Sequence, residues 1–445
     1  MVVKPNPLSG FPELLPQEQI VFQRLLNIIR EGYELFGFSP IETPAVERKE
    51  VLTSKGGDEK EIYSLTRLAG SEGSSDTEMA LHFDLTVPLA RYVAMHKERL
   101  TFPFRRYQIQ KVWRGERAQA GRYREFYQCD IDVIGRGTLG VLYDAEMPAI
   151  IYTIFRKMNI GKFVIRINNR RILKAYFEYV GVPNELVGDV LRSVDKLEKI
   201  GFEQVAQEIH SSTLLDEATV SSMLTFLGTK RKTFDMLEFL KTQPFGESFQ
   251  KGVLELEEVV QGIQSLGVEE EYFVIDLTIA RGLDYYTGTV YETVLLDYPG
   301  LGSVCSGGRY DDLASFFTDE NLPGVGISIG ITRLAITLMK ENILKVGSST
   351  PALVLITSMD RALMSRYFEI GKTLRNVGIN TEVYLEPGSL GKQLKYANKK
   401  GFPFVIILGQ QELDNGVVQI KDMQTGQSIV KDRNTLEEYL LSILG

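Results

Sequence analysis

The chain has 445 residues, 50 Lys+Arg against 58 Asp+Glu and a formal net charge of −8. That length suggests two to four domains, and a composition of 44% hydrophobic and 24% charged residues excludes a largely disordered chain. No run of about 18 apolar residues occurs, so neither a membrane-spanning helix nor a membrane partner is expected. The opening MVVKPNPLSGFPELLP lacks the apolar core of a secretory signal. Cys129 and Cys305 are too few for a disulfide framework or a zinc cluster, and they fit a reducing, cytoplasmic setting. His82, His96 and His210 leave little room for a histidine-based metal site. The acid excess argues at first against nucleic acid as a partner.

In chain order, residues 17–38 repeat apolar positions at near-helical spacing and predict a helix ending near Gly37. Residues 70–77 read as an exposed loop, and 84–96 as a turn leading into a helix. YQIQKVWRGE and REFYQCDIDVIG both alternate, which predicts a long antiparallel hairpin over 103–135 with AQAGRY as a mobile loop. A helix over 139–158 and a strand over 162–168 follow. From 181 to 275 strands vanish and Leu- and Glu-rich helical patterns dominate, as in an inserted helical module. Strand character returns over 272–296, followed by the Gly-rich turn GSVCSGGRYDDL and a strand-to-helix unit over 324–340. KVGSST (345–350) reads as a linker. Beyond it the pattern alternates β, α, β, α, β, which predicts a separate small α/β domain.

Period-2 alternation sends Tyr127, Cys129, Ile131 and Val133 to one face of the second hairpin strand. Arg124, Phe126, Gln128, Asp130 and Asp132 go to the other. That second face is either an ordinary solvated surface or the floor of a cleft. In a cleft, arginines would hold phosphate, Phe126 would stack a base, and Gln128 with Asp132 would grip an ammonium group. Lys97–Arg124 contains nine basic and two acidic residues, which suits a solvated basic loop, an anion site or a nucleic-acid patch. RGLDYYTGTVYE (281–292) gathers a cation, a carboxylate and phenols around two glycines, as either a tyrosine-rimmed core strand or the wall of a small polar pocket. No P-loop or dinucleotide fingerprint is present, so a bound nucleotide would be held by arginines. Arg333, at the start of a predicted helix, is either one of these or a surface residue.

These segments together resemble the histidine–tRNA ligases, a class II aminoacyl-tRNA synthetase family. SGFPELLP and SPIETPAVE resemble its N-terminal entry and first motif. FRRYQIQKVWRGERAQAGRYREFYQCDID is similar to its second motif, and GVGISIGITRL to its third. RGLDYYTGTVYE and GSVCSGGRYDDL look like its two histidine-specific signatures. The resemblance implies an α+β catalytic domain with the class II antiparallel sheet, a helical insertion and a C-terminal α/β anticodon-binding domain. The segments would be 1–180 and 276–344 for the catalytic domain, 181–275 for the insertion, 345–350 for the linker and 351–445 for the anticodon-binding domain.

Further implications attach residue by residue. Arg114 would bind the ATP α-phosphate and, with Arg281, act in catalysis. Glu116 and Phe126 would hold adenine, and Arg122 and Arg333 the outer phosphates. Asp84, Thr86, Gln128 and Asp132 would bind the histidine amino end. Tyr285 and Tyr286 would line the imidazole pocket, and Arg281 would also face the histidine carboxylate. ATP with Mg²⁺, L-histidine and tRNA(His) would be the partners, in a cytoplasmic homodimer. Mg²⁺ would ride on the substrate, with no dedicated protein metal cage. The alternative is a non-catalytic, synthetase-like regulatory subunit of histidine biosynthesis. The chain's acidity concentrates in 181–275, so it does not describe the surfaces that would meet ATP and tRNA.

Overall fold

The computed structural model describes residues 3–54, 61–67, 78–117, 121–194, 196–213, 215–279, 286–311, 314–386 and 388–444. The chain forms two compact units, Met1–Pro12 with Leu25–Ile343, and Glu13–Arg24 with Leu344–Gly445.

The larger unit is built on an eight-stranded sheet. Its strands are β1 (Ser39–Pro40), β4 (Phe104–Trp113), β5 (Glu125–Ile134), β6 (Phe163–Asn169), β7 (Phe273–Ile275), β8 (Thr289–Leu295), β9 (Ser303–Tyr310) and β10 (Gly324–Ile329). A separate pair joins β2 (Val46–Arg48) to β3 (Met79–Leu81). The order across the large sheet is β1-β4-β5-β10-β9-β8-β6-β7. The six inner strands run antiparallel, and parallel strands close both edges.

The expected hairpin is β4 and β5. Its register pairs Arg106 with Asp132, Gln108 with Asp130 and Gln110 with Gln128. Cys129, Ile131 and Val133 are buried on one face, as their alternation requires. Asp130 and Asp132 are buried as well. A solvated face would leave those carboxylates in water, so the second face is the floor of a cavity.

The helix Leu142–Met158 packs on the reverse face of the sheet. Its buried Asp144 meets Arg309 of β9 at 2.6 Å and accepts the Thr289 hydroxyl at 2.6 Å. Arg309 also donates to the carbonyls of Leu139 and Gly140. A desolvated ion pair is tolerated where its remaining donors find partners in this way.

Helices from Val187 to Ser265 occupy the stretch read as an insertion. The last of them, Glu247–Ser265, crosses two helices of the sheet layer. A side chain at Gly252 would come within 2.9 Å of Ile172, and one at Gly262 within 2.6 Å of Ala145. Glycine therefore sets the closeness of both crossings. Rings from Tyr176, Phe226, Phe245 and Phe249 fill the space behind them.

The strand character read over 272–296 divides into β7 and β8. Asp276 explains the break, because its Oδ1 accepts from the backbone N and the hydroxyl of Thr278. Such a local turn competes with the ladder. Residues 280–285 lie outside the described residues.

The smaller unit holds β11 (Val354–Ile356), β12 (Thr381–Val383), β13 (Phe404–Ile407), β14 (Val417–Asp422) and β15 (Ser428–Asp432). The order is β12-β11-β13-β14-β15, with the first three parallel and the last two added antiparallel. The helices Met364–Asn376 and Leu390–Lys400 connect the parallel strands. Val354, Ile356, Tyr367, Leu374, Ile406 and Val418 belong to its core. Strand β15 and the closing helix Leu436–Leu444 extend the βαβαβ pattern read from sequence.

Candidate active site

A cavity of about 400 Å³ opens on the floor made by β5, β9 and β10. That volume lies within the usual range of a small-molecule site. Asp84, Thr86, Arg114, Glu116, Arg122, Phe126, Gln128, Asp132, Tyr286 and Arg333 all line it. Ten of the residues named from sequence thus share one cavity. Arg281 and Tyr285 lie outside the described residues.

Each group reaches the cavity for a local reason. Asp84 precedes the helix Thr86–His96, and its Oδ1 accepts from the Val87 N–H at 3.2 Å. A carboxylate suits a helix N-terminus, where N–H groups lack partners. Burial nevertheless pushes Asp84 up to about 6, against the lowering effect of Val87, Arg114 and Arg106. Arg114 ends the first hairpin arm, and its backbone N–H donates to the Arg124 carbonyl. Its Nε donates to the Phe83 carbonyl at 3.1 Å. Its guanidinium carbon lies 5.1 Å from the centre of the Phe126 ring, a cation–π distance. Arg122 donates to Glu116 at 3.2 Å. Arg333 stands in the first turn of the helix Ile331–Lys340, close to Gly121 and Gly302. Thr332 ties that helix to β5 by accepting from the Tyr127 N–H at 2.8 Å.

The other end of the cavity is acidic, and its charged groups are buried. Arg106 is fully buried, with Nη2 2.5 Å from Asp132 Oδ2. No nitrogen of this guanidinium has hydrogen-bond geometry, so the contact is an ion pair without alignment. Tyr310 donates its hydroxyl to Asp132 Oδ1 at 2.9 Å. Burial raises Asp132, with Arg106 and Tyr310 opposing it. Burial also pushes Asp130 up to about 7, opposed by Arg106 and by a hydrogen bond from Ser328. Gln128 Nε2 donates to Ser328 Oγ at 2.9 Å.

Glycine makes the floor next to these acids. A Cβ on Gly326, which pairs with Asp132 across β10, would lie 2.1 Å from Asp132 Oδ1. A Cβ on Gly308 would lie 2.9 Å from the Tyr286 ring. Only a bare backbone leaves both side chains in place.

Cavity residues that sequence did not single out as ligands include Asp130, Ser306, Tyr310 and Ser328. Alternation places Asp130 on the polar face of β5 without distinguishing it from its neighbours. Ser328 sits directly opposite Asp130 in the β5–β10 register, which no one-dimensional pattern states. Much of the basic excess of Lys97–Arg124 is paired with carboxylates of the same chain. Lys97 pairs with Glu320, Arg105 with Glu146, Lys111 with Glu125 and Arg122 with Glu116. His82 is buried with Nε2 2.7 Å from the Lys111 carbonyl. Among the described residues no group of three His, Cys, Asp or Glu side chains could hold a metal ion.

The cavity floor therefore has a sense of direction along β5. Phe126, Gln128, Asp130 and Asp132 follow one another, so an aromatic and arginine-rich end passes into a carboxylate end over roughly 20 Å at about 3.3 Å per residue. Such a site suits an elongated ligand with a cationic head and an anionic, aromatic tail.

Comparison with known proteins agrees with this layout. A family model described as histidyl-tRNA synthetase matches residues 10–334, and one described as an anticodon binding domain matches residues 352–443. The chain is 48% identical to the histidine–tRNA ligase of Stenotrophomonas maltophilia, covering 99% of this chain and 98% of that one. It is 46% identical to the histidine–tRNA ligase of Clostridium tetani over the same shares of the two chains. The crystal structure of histidyl-tRNA synthetase from Nostoc superposes with a TM-score of 0.92 at 44% identity, covering 99% of this chain and all of that one. The fold is that of a class II synthetase followed by an α/β domain of the anticodon-binding type, and the chain belongs to the histidyl-tRNA synthetase family.

Proposed function

We propose that this chain activates L-histidine with ATP and transfers the histidyl group to the 3′ end of tRNA(His). The observation that carries this reading is the polarity of the cavity floor, with Phe126, Arg114 and Arg333 toward one end of β5 and Asp130 and Asp132 toward the other. A histidyl-adenylate has the matching polarity, with an ammonium group, a phosphate and an adenine in sequence.

In the first step a carboxylate oxygen of histidine forms a bond to the α-phosphorus of ATP. The bond from that phosphorus to the bridging oxygen breaks, and diphosphate leaves with the electron pair. No protein nucleophile is needed. Arg114 faces the α-phosphate and stabilises charge gathering on its oxygens. Glu116 and Phe126 hold adenine, and Arg122 and Arg333 hold the outer phosphates. Asp84, Thr86, Gln128 and Asp132 take the amino end of histidine, with Tyr286 beside the imidazole. The resemblance assigns Tyr285 to that pocket, and Arg281 to the carboxylate and α-phosphate. Much of the acceleration then comes from holding the two substrates in line. In the second step a ribose hydroxyl of the tRNA forms the ester and AMP leaves. Mg²⁺ enters on ATP, as part of the substrate.

Residues 1–180 and 276–344 would form the catalytic domain, 181–275 an inserted helical module and 351–445 the anticodon-binding domain, joined by 345–350. A cytoplasmic homodimer is the assembly the resemblance implies. The regulatory alternative gains nothing, because relatives named as ligases match over the whole chain. Histidine-dependent exchange of labelled diphosphate into ATP tests the central claim. Absence of exchange in folded protein that binds ATP would refute it. Sedimentation at micromolar concentration tests the dimer.

A further inference from the structure

Two acceptors in the cavity have no partner. Asp130 Oδ1 and Gln128 Oε1 are both buried without a hydrogen bond, and both residues line the cavity. They stand two residues apart on one face of β5, so they open onto the same space. A buried acceptor left unmade is costly, and native proteins seldom retain two of them side by side without a use.

Ser328 connects the pair. Its hydroxyl accepts from Gln128 Nε2 at 2.9 Å and stands directly opposite Asp130 in the β5–β10 register. A hydroxyl has one proton to give. Because Gln128 Nε2 donates to it, Ser328 meets Gln128 as an acceptor and keeps that proton for the facing Asp130. The Gln128 amide must then present its nitrogen to Ser328 and its oxygen to the cavity. Ser328 thus fixes the orientation of Gln128 and stands between it and Asp130.

The charges nearby favour a cationic donor. Asp84, Asp130 and Asp132 face one another through Coulombic repulsion, with Arg106 as the cation common to all three. Arg114 adds a second cation only near Asp84. Three carboxyls around one fully buried guanidinium leave a cationic deficit that an incoming ammonium group can fill.

We propose that Asp130 is a further ligand-binding residue, its free oxygen and the Gln128 carbonyl together accepting the α-ammonium of the amino acid, with Ser328 as the positioning residue between them. This rests on the histidine reading given above. Burial pushes Asp130 up to about 7, so an arriving ammonium meets a carboxyl ready to ionise.

The test is titration calorimetry of the full-length protein with three probes. L-histidine carries the ammonium and the carboxylate. Histidinol keeps the ammonium and lacks the carboxylate. Imidazolepropionate lacks the ammonium. Asp130→Asn keeps the shape and removes the charge. It should weaken histidine and histidinol by about 10- to 100-fold, the size expected for a charged hydrogen bond. Imidazolepropionate and ATP should bind Asp130→Asn as they bind the wild type. Ser328→Ala should repeat the pattern at about 3- to 10-fold, and it provides the same reading if Asp130→Asn does not fold. Equal loss for all three probes would reduce Asp130 to a structural part, and unchanged histidine binding would remove it from the site. Wild-type protein that binds no histidine would overturn the histidine reading itself, and this inference with it.

Discussion

Gly326→Ala places one methyl group where the cavity floor has no room. The new Cβ would lie 2.1 Å from Asp132 Oδ1 and 2.5 Å from the Ile131 carbonyl oxygen. Ordinary contact begins near 3.4 Å, so Asp132 must withdraw by more than about 1 Å. The Ile131 carbonyl belongs to a central strand paired on both sides and cannot yield as a side chain can. Withdrawal breaks the Tyr310 hydrogen bond and the ion pair with Arg106. A fully buried guanidinium left without its anion costs about 3–5 kcal/mol. A displacement of about 1 Å in a binding group is enough to lower activity about 100-fold. Denaturant unfolding should therefore show a loss of several kcal/mol, and diphosphate exchange should fall by at least that factor. Gly330→Ala is the matched control on the same cavity. Its Cβ would find nothing closer than the Val304 carbonyl at 4.0 Å, at an ordinary φ of −79°. That variant should unfold close to wild type. Gly326→Ala with a wild-type midpoint and undiminished exchange would refute the close packing of Asp132 against β10.

Arg114→Ala should lower the rate of adenylate formation by about 10²- to 10³-fold in single-turnover experiments, and an unaffected rate would take Arg114 off the α-phosphate. Asp144→Ala removes the buried partner of Arg309 on the reverse face, so unfolding should show a loss of about 3–5 kcal/mol; a loss below about 1 kcal/mol would mean that water replaces the carboxylate there. The ligand-free protein should lose stability as pH rises from about 4 to 7. Folded Asp130 and Asp84 titrate at about 7 and about 6, whereas an unfolded aspartate releases its proton near pH 4. Across that window the folded chain holds protons that the unfolded chain has lost, so unfolding gains as pH increases. Asp130→Asn should flatten the slope in denaturant midpoints taken at pH 5, 6 and 7, and an unchanged slope would assign the effect to other groups.

The hairpin was legible because alternation is a property of neighbours in sequence. Cys129, Ile131 and Val133 announced one face and Gln128, Asp130 and Asp132 the other. What covered the second face was not legible. Arg106 shows why. In a running charge count it belonged to a basic patch, yet in the fold it is wholly buried against Asp132. Arg105 was counted with it and is held by Glu146 and the Phe36 carbonyl. Those partners lie about 40 to 70 residues away along the chain, beyond the reach of any local pattern. Ser328 escaped for the same reason, since its importance comes from standing opposite Asp130 across two strands. The motif residues were found through family likeness, because the spacing of Arg114 and Phe126 alone also describes a solvated strand.

The two glycine contacts of the helix Glu247–Ser265 constrain how the helical segment can move. Gly252 and Gly262 are ten residues apart, about 15 Å along the axis. At both points the helix touches its neighbours at backbone depth. Rotation about either contact would drive the other into a clash, so this helix has no free pivot and travels with the sheet. The stretch from Val187 to Lys241 is held by side chains instead, with Lys230 paired to Asp276 at 2.8 Å, Thr233 donating to the Phe273 carbonyl and Lys241 paired to Glu257 at 2.7 Å. The segment 181–275 thus ends in a helix fixed at backbone depth, and its excess negative charge lies on that helix as well as on the ones before it.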